Sequence, residues 1–224
     1  MSYVLHERFD AWAETYDQSL VVKWNRYIQR KVLSEVVSDT NWELSTKKVL
    51  DFACGTGYFI QLMMDVVNDE AQGSLCAAMG DLCGIDYSKE MIKQAKAKLG
   101  KRLDLRHACA EDTTFEDGRF DYVVCTTAFH HFPNPIDSIK EMRRVLKVGG
   151  KIIIADINFL PLSISNRIFK RIEEDFVSMY SKAEFRRFAR ESGLNVVKQK
   201  IIGLFGLMSV FEKPVTLKIK KGKK

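Results

Sequence analysis

Two adjacent histidines, His130 and His131, stand in the run TTAFHHFPNP, directly after the apolar segment FDYVVC. Imidazole changes charge near neutral pH, so either ring suits removal of a proton from a hydroxyl or an activated carbon. The alternative for each is a loop histidine that bonds backbone and shapes a site, a reading that fits His131 better than His130. Upstream, VLDFACGTGYF places the carboxylate of Asp51 in an apolar run and follows it with Gly55 and Gly57. Bare backbone there lets a ligand approach and lets N–H groups face it. The third glycine of the dinucleotide fingerprint is replaced by Ile60, and no Gly-Lys-Ser/Thr follows. Asp51 would repel a diphosphate and attract an ammonium group. A ligand with an amino-acid end, a ribose and no phosphate fits, and S-adenosylmethionine is such a ligand.

Apolar periodicity defines the elements that must position these groups. Strands are expected at 48–52, 82–86, 103–108, 120–126 and 151–156, with helices at 58–67, 89–99 and 135–146, the last stopped by a turn at Val148-Gly149-Gly150. Buried runs such as KIIIAD and FDYVVC, alternating with helices, imply an α/β fold with a parallel sheet covered on both faces. Residues 7–38 read as helical, with Phe9, Trp12, Ala13 and Tyr16 at helical spacing. A Pro-kinked loop and an amphipathic helix carrying Ile164, Ile168, Phe169, Ile172 and Phe176 are expected within 158–180. Helix 181–191 opens on a Ser-Lys-Ala-Glu capping box, and strands 195–202 and 207–212 close the fold. No linker divides the chain, so 1–214 reads as one domain with an N-terminal helical cap (1–45), a lid-like insertion (157–180) and a basic tail (215–224). The stretch 68–80 looks like a local insertion.

With 224 residues, 46% hydrophobic and 29% charged, the composition is that of one ordinary globular core. The net charge of +6 does not indicate nucleic acid, because Lys218, Lys220, Lys221, Lys223 and Lys224 carry five of those charges and leave about +1 for the rest. Five cysteines without CxxC pairs read as reduced thiols. Cys54 and Cys109 read as small buried residues rather than nucleophiles. With no run long enough to span a membrane and no signal-peptide pattern, a cytoplasmic location is expected. No metal is expected.

The chain resembles the class I S-adenosylmethionine-dependent methyltransferases over nearly its whole length. Their opening motif appears as Asp51-Phe-Ala53-Cys-Gly55-Thr-Gly57, and their second acidic residue as Asp86 in GIDYSKEMI. RRVLKVGGKIIIAD is similar to their fifth-strand signature. The resemblance implies a Rossmann-like seven-stranded, mostly parallel sheet with its last strand antiparallel. It also implies Asp86 on the ribose hydroxyls and Tyr87 and Met91 against the adenine. Where relatives carry an Asp, this chain has Cys109, leaving the Ala110 N–H and Glu111 to serve the adenine; Cys125 and Thr126 match the floor under the methionine chain. FDAWAETYDQ resembles the N-terminal helix of the quinone-biosynthesis C-methyltransferases, which would bring Tyr16 over the methionine carboxylate or the sulfonium.

Phe132, Phe159, Leu160, Leu162, Phe176 and Met179 would roof an apolar acceptor pocket. The expected acceptor is accordingly small and apolar or aromatic, quinone-like or lipidic. Arg167, Lys170 and Arg171 offer weak contact with an anionic membrane surface, against the plainer reading of a solvated helix face. Alternatives are an RNA or protein methyltransferase, disfavoured by CTTAF where amine-methylating enzymes carry Asn/Asp-Pro-Pro-aromatic, and a non-catalytic methyltransferase-like scaffold, disfavoured by intact Asp51, Gly55, Gly57 and Asp86.

Overall fold

The computed structural model describes residues 5–39, 46–70, 81–100, 102–159, 161–173 and 175–215. Its frame is a seven-stranded sheet in the order β3-β2-β1-β4-β5-β7-β6, built from β1 (Val49–Phe52), β2 (Leu82–Asp86), β3 (Asp104–His107), β4 (Phe120–Thr126), β5 (Leu146–Ile157), β6 (Asn195–Ile202) and β7 (Gly206–Glu212). Strands β1 to β5 pair in parallel, while β7 runs antiparallel to both β5 and β6. This is the expected arrangement, with β7 the reversed strand.

Side chains alternate across the central strands with the period of two that a pleated sheet imposes. Leu50, Phe52, Val123, Cys125, Ile152 and Ile154 enter one core, which α5 (Pro135–Val145) and α7 (Lys182–Glu191) cover through Ile139, Met142, Phe185 and Phe188. Val49, Tyr122, Val124, Ile153 and Ala155 enter the other, beneath α2 (Leu20–Asp39), α3 (Tyr58–Glu70) and α4 (Lys89–Leu99). Two filled faces explain why these strands read as continuous apolar runs. Helix starts follow local chemistry. The Ser88 hydroxyl accepts the Met91 N–H to cap α4, and the expected capping box is present at Ser181 and Glu184.

Three expectations are corrected. The continuous helix over 7–38 is instead α1 (Leu5–Trp12), a single 3₁₀ turn at Tyr16–Gln18, and α2; the Thr15 N–H closes back on the Trp12 carbonyl and ends the first helix. Val148-Gly149-Gly150 does not separate helix from strand, because β5 already begins at Leu146. The chain loops out between Leu146 and Lys151, opposite Phe120 and Tyr122. Gly149 takes φ +76° there and donates its N–H to the Lys213 carbonyl. The third concerns α6 (Leu162–Ile172), which ends before Phe176, expected on the same helix; Ile164, Ile168 and Ile172 face outward. Its inner face is set by Phe169 and by Asn166, whose amide accepts from Met179 N–H and donates to the Met179 carbonyl. The 68–80 insertion falls partly, and the lysine tail almost wholly, outside the described residues.

Candidate active site

At the carboxyl end of the parallel strands lies a cavity of about 420 Å³, where open α/β sheets place their ligands and within the size range of small-molecule sites. Its base is the turn between β1 and α3. Ala53 occupies the left-handed region at φ 65°, with Gly55 at 53° and Gly57 at 82°. The two glycines serve different needs. Nothing lies within 4 Å of a Cβ built on Gly55, which lines the cavity, whereas one on Gly57 would strike the Leu99 side chain at 2.6 Å. Gly57 therefore permits α4 to pack close and does not line the cavity, a correction to its expected ligand contact.

Asp86, at the end of β2, lines the cavity and ties the turn together. One oxygen accepts the Gly55 N–H at 2.8 Å and the other the Ser88 N–H at 2.9 Å. Burial pushes its pKa up, against those two bonds. Asp51 is placed differently from expectation. It is 1% exposed and does not line the cavity, and neither carboxylate oxygen has a hydrogen-bond partner. Burial and then the charge of Asp86 raise its pKa well above the usual carboxylate range. A buried carboxylate without a partner is costly, and a cationic ligand group in the adjoining turn would relieve that cost. The residues present thus fit a cofactor bearing an ammonium group and a ribose. Cys125 also falls outside the cavity wall; it is fully buried in the sheet core, and Thr126, Thr127 and Ala128 form the wall in its place. Burial raises the thiols of Cys54 and Cys125 far above their usual range.

Tyr87, Met91, Ala110 and Glu111 line the cavity as expected, joined by Cys109. Glu111 accepts a hydrogen bond from the Asn134 amide at 3.1 Å. Tyr16 reaches the cavity from the 3₁₀ turn of the cap, with its ring edge-on to Trp12 at 4.8 Å and its hydroxyl bonded to Asn25. Polar contacts seat this cap on the glycine turn. Asp17 accepts from the Thr56 hydroxyl at 2.8 Å and pairs with Lys98, and Asp10 accepts from the Ser88 hydroxyl. Of the expected roof residues, Phe132 and Phe159 line the cavity together with Phe9, Trp12 and Phe169. Leu162, Phe176 and Met179 do not; the last two belong to the buried interior, and Leu160 lies outside the described residues.

Both histidines line this wall, on a 3₁₀ turn at Phe129–His131 that follows β4. The parallel register pairs Thr126 with Ala155 and so brings His130 to the end of β5. There Asp156 accepts the His130 backbone N–H through one oxygen and engages its Nδ1 through the other, both at 2.6 Å. Burial alone would lower the His130 pKa, but the charge and hydrogen bond of Asp156 outweigh it and raise the value. With Nδ1–H held by a carboxylate, Nε2 is the nitrogen left to exchange a proton. His131 donates its Nδ1–H to the Asp175 carbonyl at 3.0 Å and stays neutral, its pKa held well down by burial and by His130. Sequence reasoning passed over Asp156, although a carboxylate ending a buried strand was the same signal used for Asp86. One nitrogen of each ring and a Glu173 oxygen lie within 4.8 Å of one another. Arg8 stands 3.6 Å from that carboxylate, and both Nδ1 atoms are bonded, so protein groups already balance the cluster.

A turn of this kind with a carboxylate ending each flanking strand, beneath a helical cap, characterises one enzyme class, and comparison with known proteins agrees. Residues 50–154 match the family model described as a methyltransferase domain. The demethylmenaquinone methyltransferase of Staphylococcus epidermidis is 30% identical over 210 residues, covering 90% of this chain and 82% of that one. The chain belongs to the class I S-adenosylmethionine-dependent methyltransferases, and S-adenosylmethionine is its methyl donor. The ubiquinone biosynthesis O-methyltransferase of Aromatoleum aromaticum is 27% identical over 173 residues, 71% of this chain and 69% of that one. In fold the chain is similar to a member of the complex between the Haloferax volcanii Trm112 methyltransferase activator and a methyltransferase (TM-score 0.66, 22% identity, 92% and 98% covered). It is also similar to the SAM-dependent methyltransferase of Aquifex aeolicus (TM-score 0.61, 21% identity, 83% and 89% covered).

Proposed function

We propose that this enzyme methylates a small aromatic acceptor bearing a hydroxyl group, of the quinol type, with His130 as the proton acceptor. The observation that carries this reading is the buried His130–Asp156 pair in the wall of a cavity faced by Phe9, Trp12, Phe132, Phe159 and Phe169. Aromatic walls favour a flat apolar acceptor, and a hydroxyl that must lose a proton needs a base beside it. The names of the Staphylococcus and Aromatoleum relatives point to the same acceptor chemistry.

The donor supplies a methyl group already activated by its sulfonium, so the chain's own task is to place the acceptor and take its proton. In this reading Asp86 holds the ribose hydroxyls and Tyr87 and Met91 flank the adenine. The Ala110 N–H and Glu111 meet the adenine edge. Asp51, behind the glycine turn, would be held ionised by the ammonium, and Tyr16 closes the cap over the methionine end. His130 Nε2 receives the acceptor hydroxyl proton, and the Asp156 carboxylate stabilises the imidazolium that forms. His131, neutral and tied to backbone, positions its neighbour, their ring centroids being 3.9 Å apart.

Incubating the protein with labelled methyl donor and a panel of reduced naphthoquinols, phenols, small amines and RNA tests the acceptor class. Label should pass to the quinols or phenols. Transfer to RNA or to amines alone would overturn the reading.

A further inference from the structure

Helix α6 roofs one side of the cavity through Phe169 and yet buries none of its residues completely. Ile164, Ile168 and Ile172 recur every four residues and so share one stripe. They are 57%, 49% and 70% exposed. Arg167 and Arg171, also four apart, form the next stripe, with Lys170 beyond it. α6 contains no acidic residue, and none of its three cations pairs with a carboxylate among the described residues. The cations are well hydrated in water, but three isoleucines sharing one exposed stripe form an apolar patch of the kind that marks a contact surface.

The apolar surface continues past the helix. Phe169 stacks on Phe159 at 5.4 Å, and Phe159 meets Phe205 at 4.5 Å. Phe205 is in the turn between β6 and β7, where its neighbour Leu204 is 82% exposed. Two of these three rings also line the cavity. The exposed apolar residues of α6 and of this turn therefore flank the same aromatic wall of the active site.

We propose that this face docks on an anionic lipid bilayer, with the α6 isoleucines in the interface and Arg167, Lys170 and Arg171 on the lipid headgroups. An apolar stripe bordered by basic residues is what the interface between headgroups and acyl chains accommodates, and long basic side chains reach outward to the phosphates. A second copy of the chain is a poorer occupant, because a two-fold contact through α6 would bring the same uncompensated cations together. No described helix is long and apolar enough to cross a membrane, so the contact is with the surface. The inference deepens the acceptor reading above, since a membrane-dissolved quinol would enter from that side, but vesicle binding is measured without any acceptor.

The test is flotation of the full chain with vesicles of phosphatidylcholine alone and of phosphatidylcholine with an equal share of phosphatidylglycerol. Binding should require phosphatidylglycerol and fall as salt rises. The triple variant Ile164→Ser, Ile168→Ser, Ile172→Ser and the double variant Arg167→Glu, Arg171→Glu should each lose about tenfold or more in vesicle affinity. Both should keep their affinity for S-adenosylhomocysteine, which shows that they fold. The proposal fails if the parent chain does not float with anionic vesicles or if both variants bind as well as the parent. It also fails if the isoleucine variant merely converts a dimer to a monomer. A chain that floats but methylates no quinol would overturn the acceptor reading and leave the docking intact; turnover on a water-soluble quinol without flotation would do the reverse.

Discussion

Replacing Asp156 with Asn is the sharpest probe of the catalytic wall, because it keeps the shape and removes the charge. In the parent, one oxygen holds the His130 backbone N–H and the other its Nδ1, each at 2.6 Å, and the Ile157 N–H adds a third bond at 2.7 Å. Asn can accept from one side only; its amide nitrogen would face an N–H donor on the other. Hydrogen bonds to a charged group contribute about 1.5–3 kcal/mol against about 1 kcal/mol for neutral ones. The imidazolium formed during turnover should therefore lose about 0.5–2 kcal/mol of stabilisation, a fall of about 2- to 30-fold in kcat.

The pH profile gives a second readout with a defined sign. Asp156 raises the His130 pKa, so the variant's pKa should fall and the acidic limb of kcat move to lower pH. The rate deficit should then be largest on the alkaline plateau and shrink as pH drops. The assay is kcat at saturating donor across pH, alongside titration with S-adenosylhomocysteine, whose affinity should not change because the Asp156 carboxylate is committed to His130 and the Ile157 N–H on the acceptor side. An unchanged limb with an unchanged plateau would refute the dyad and leave Asp156 as a brace for the turn.

Asp86→Ala should weaken S-adenosylhomocysteine binding about tenfold or more in calorimetry, since it removes the ribose acceptor and frees the Gly55 and Ser88 N–H groups. Asp51→Asn should weaken the same binding while stabilising the cofactor-free chain. Burial raises the Asp51 pKa, so the stability tied to its proton is present below the ordinary carboxyl value and lost as pH rises through the raised one. The melting-temperature gain of the variant should grow with pH, at about 2–4 °C per kcal/mol recovered. Ala53→Gly relieves a left-handed residue at φ 65°, whose cost is about 1–2 kcal/mol, partly offset by the freer unfolded glycine; thermal unfolding should show a melting temperature no lower than the parent's.

The sheet was readable because its strands are buried on both faces and bounded by turn residues. β2, β4 and α4 fall where periodicity puts them. Periodicity cannot say which of two apolar stripes turns inward. On α6 the isoleucines and Phe169 both carried the pattern, yet only Phe169, together with Asn166, makes the inner contacts. The cofactor side was legible because Asp86 and Gly55 each stand in a local pattern, a carboxylate closing a buried strand and a glycine in the turn after one, although the bond between them spans 31 residues. Asp156 was not, because its partner lies 26 residues away and meets it only through the β4–β5 register. Asp51 misled for a related reason. Its strand-end position is visible in sequence, but its burial behind the turn depends on the left-handed path of Ala53 and Gly55.

The most direct measurement is single-turnover methyl transfer to a reduced demethylnaphthoquinol by the parent chain and by His130→Ala, with S-adenosylhomocysteine affinity measured for both. The parent should methylate the quinol, and the variant should bind the cofactor product equally well while transferring methyl at least about a hundredfold more slowly. Equal transfer by the two proteins, or none to the quinol by the parent, would contradict the account.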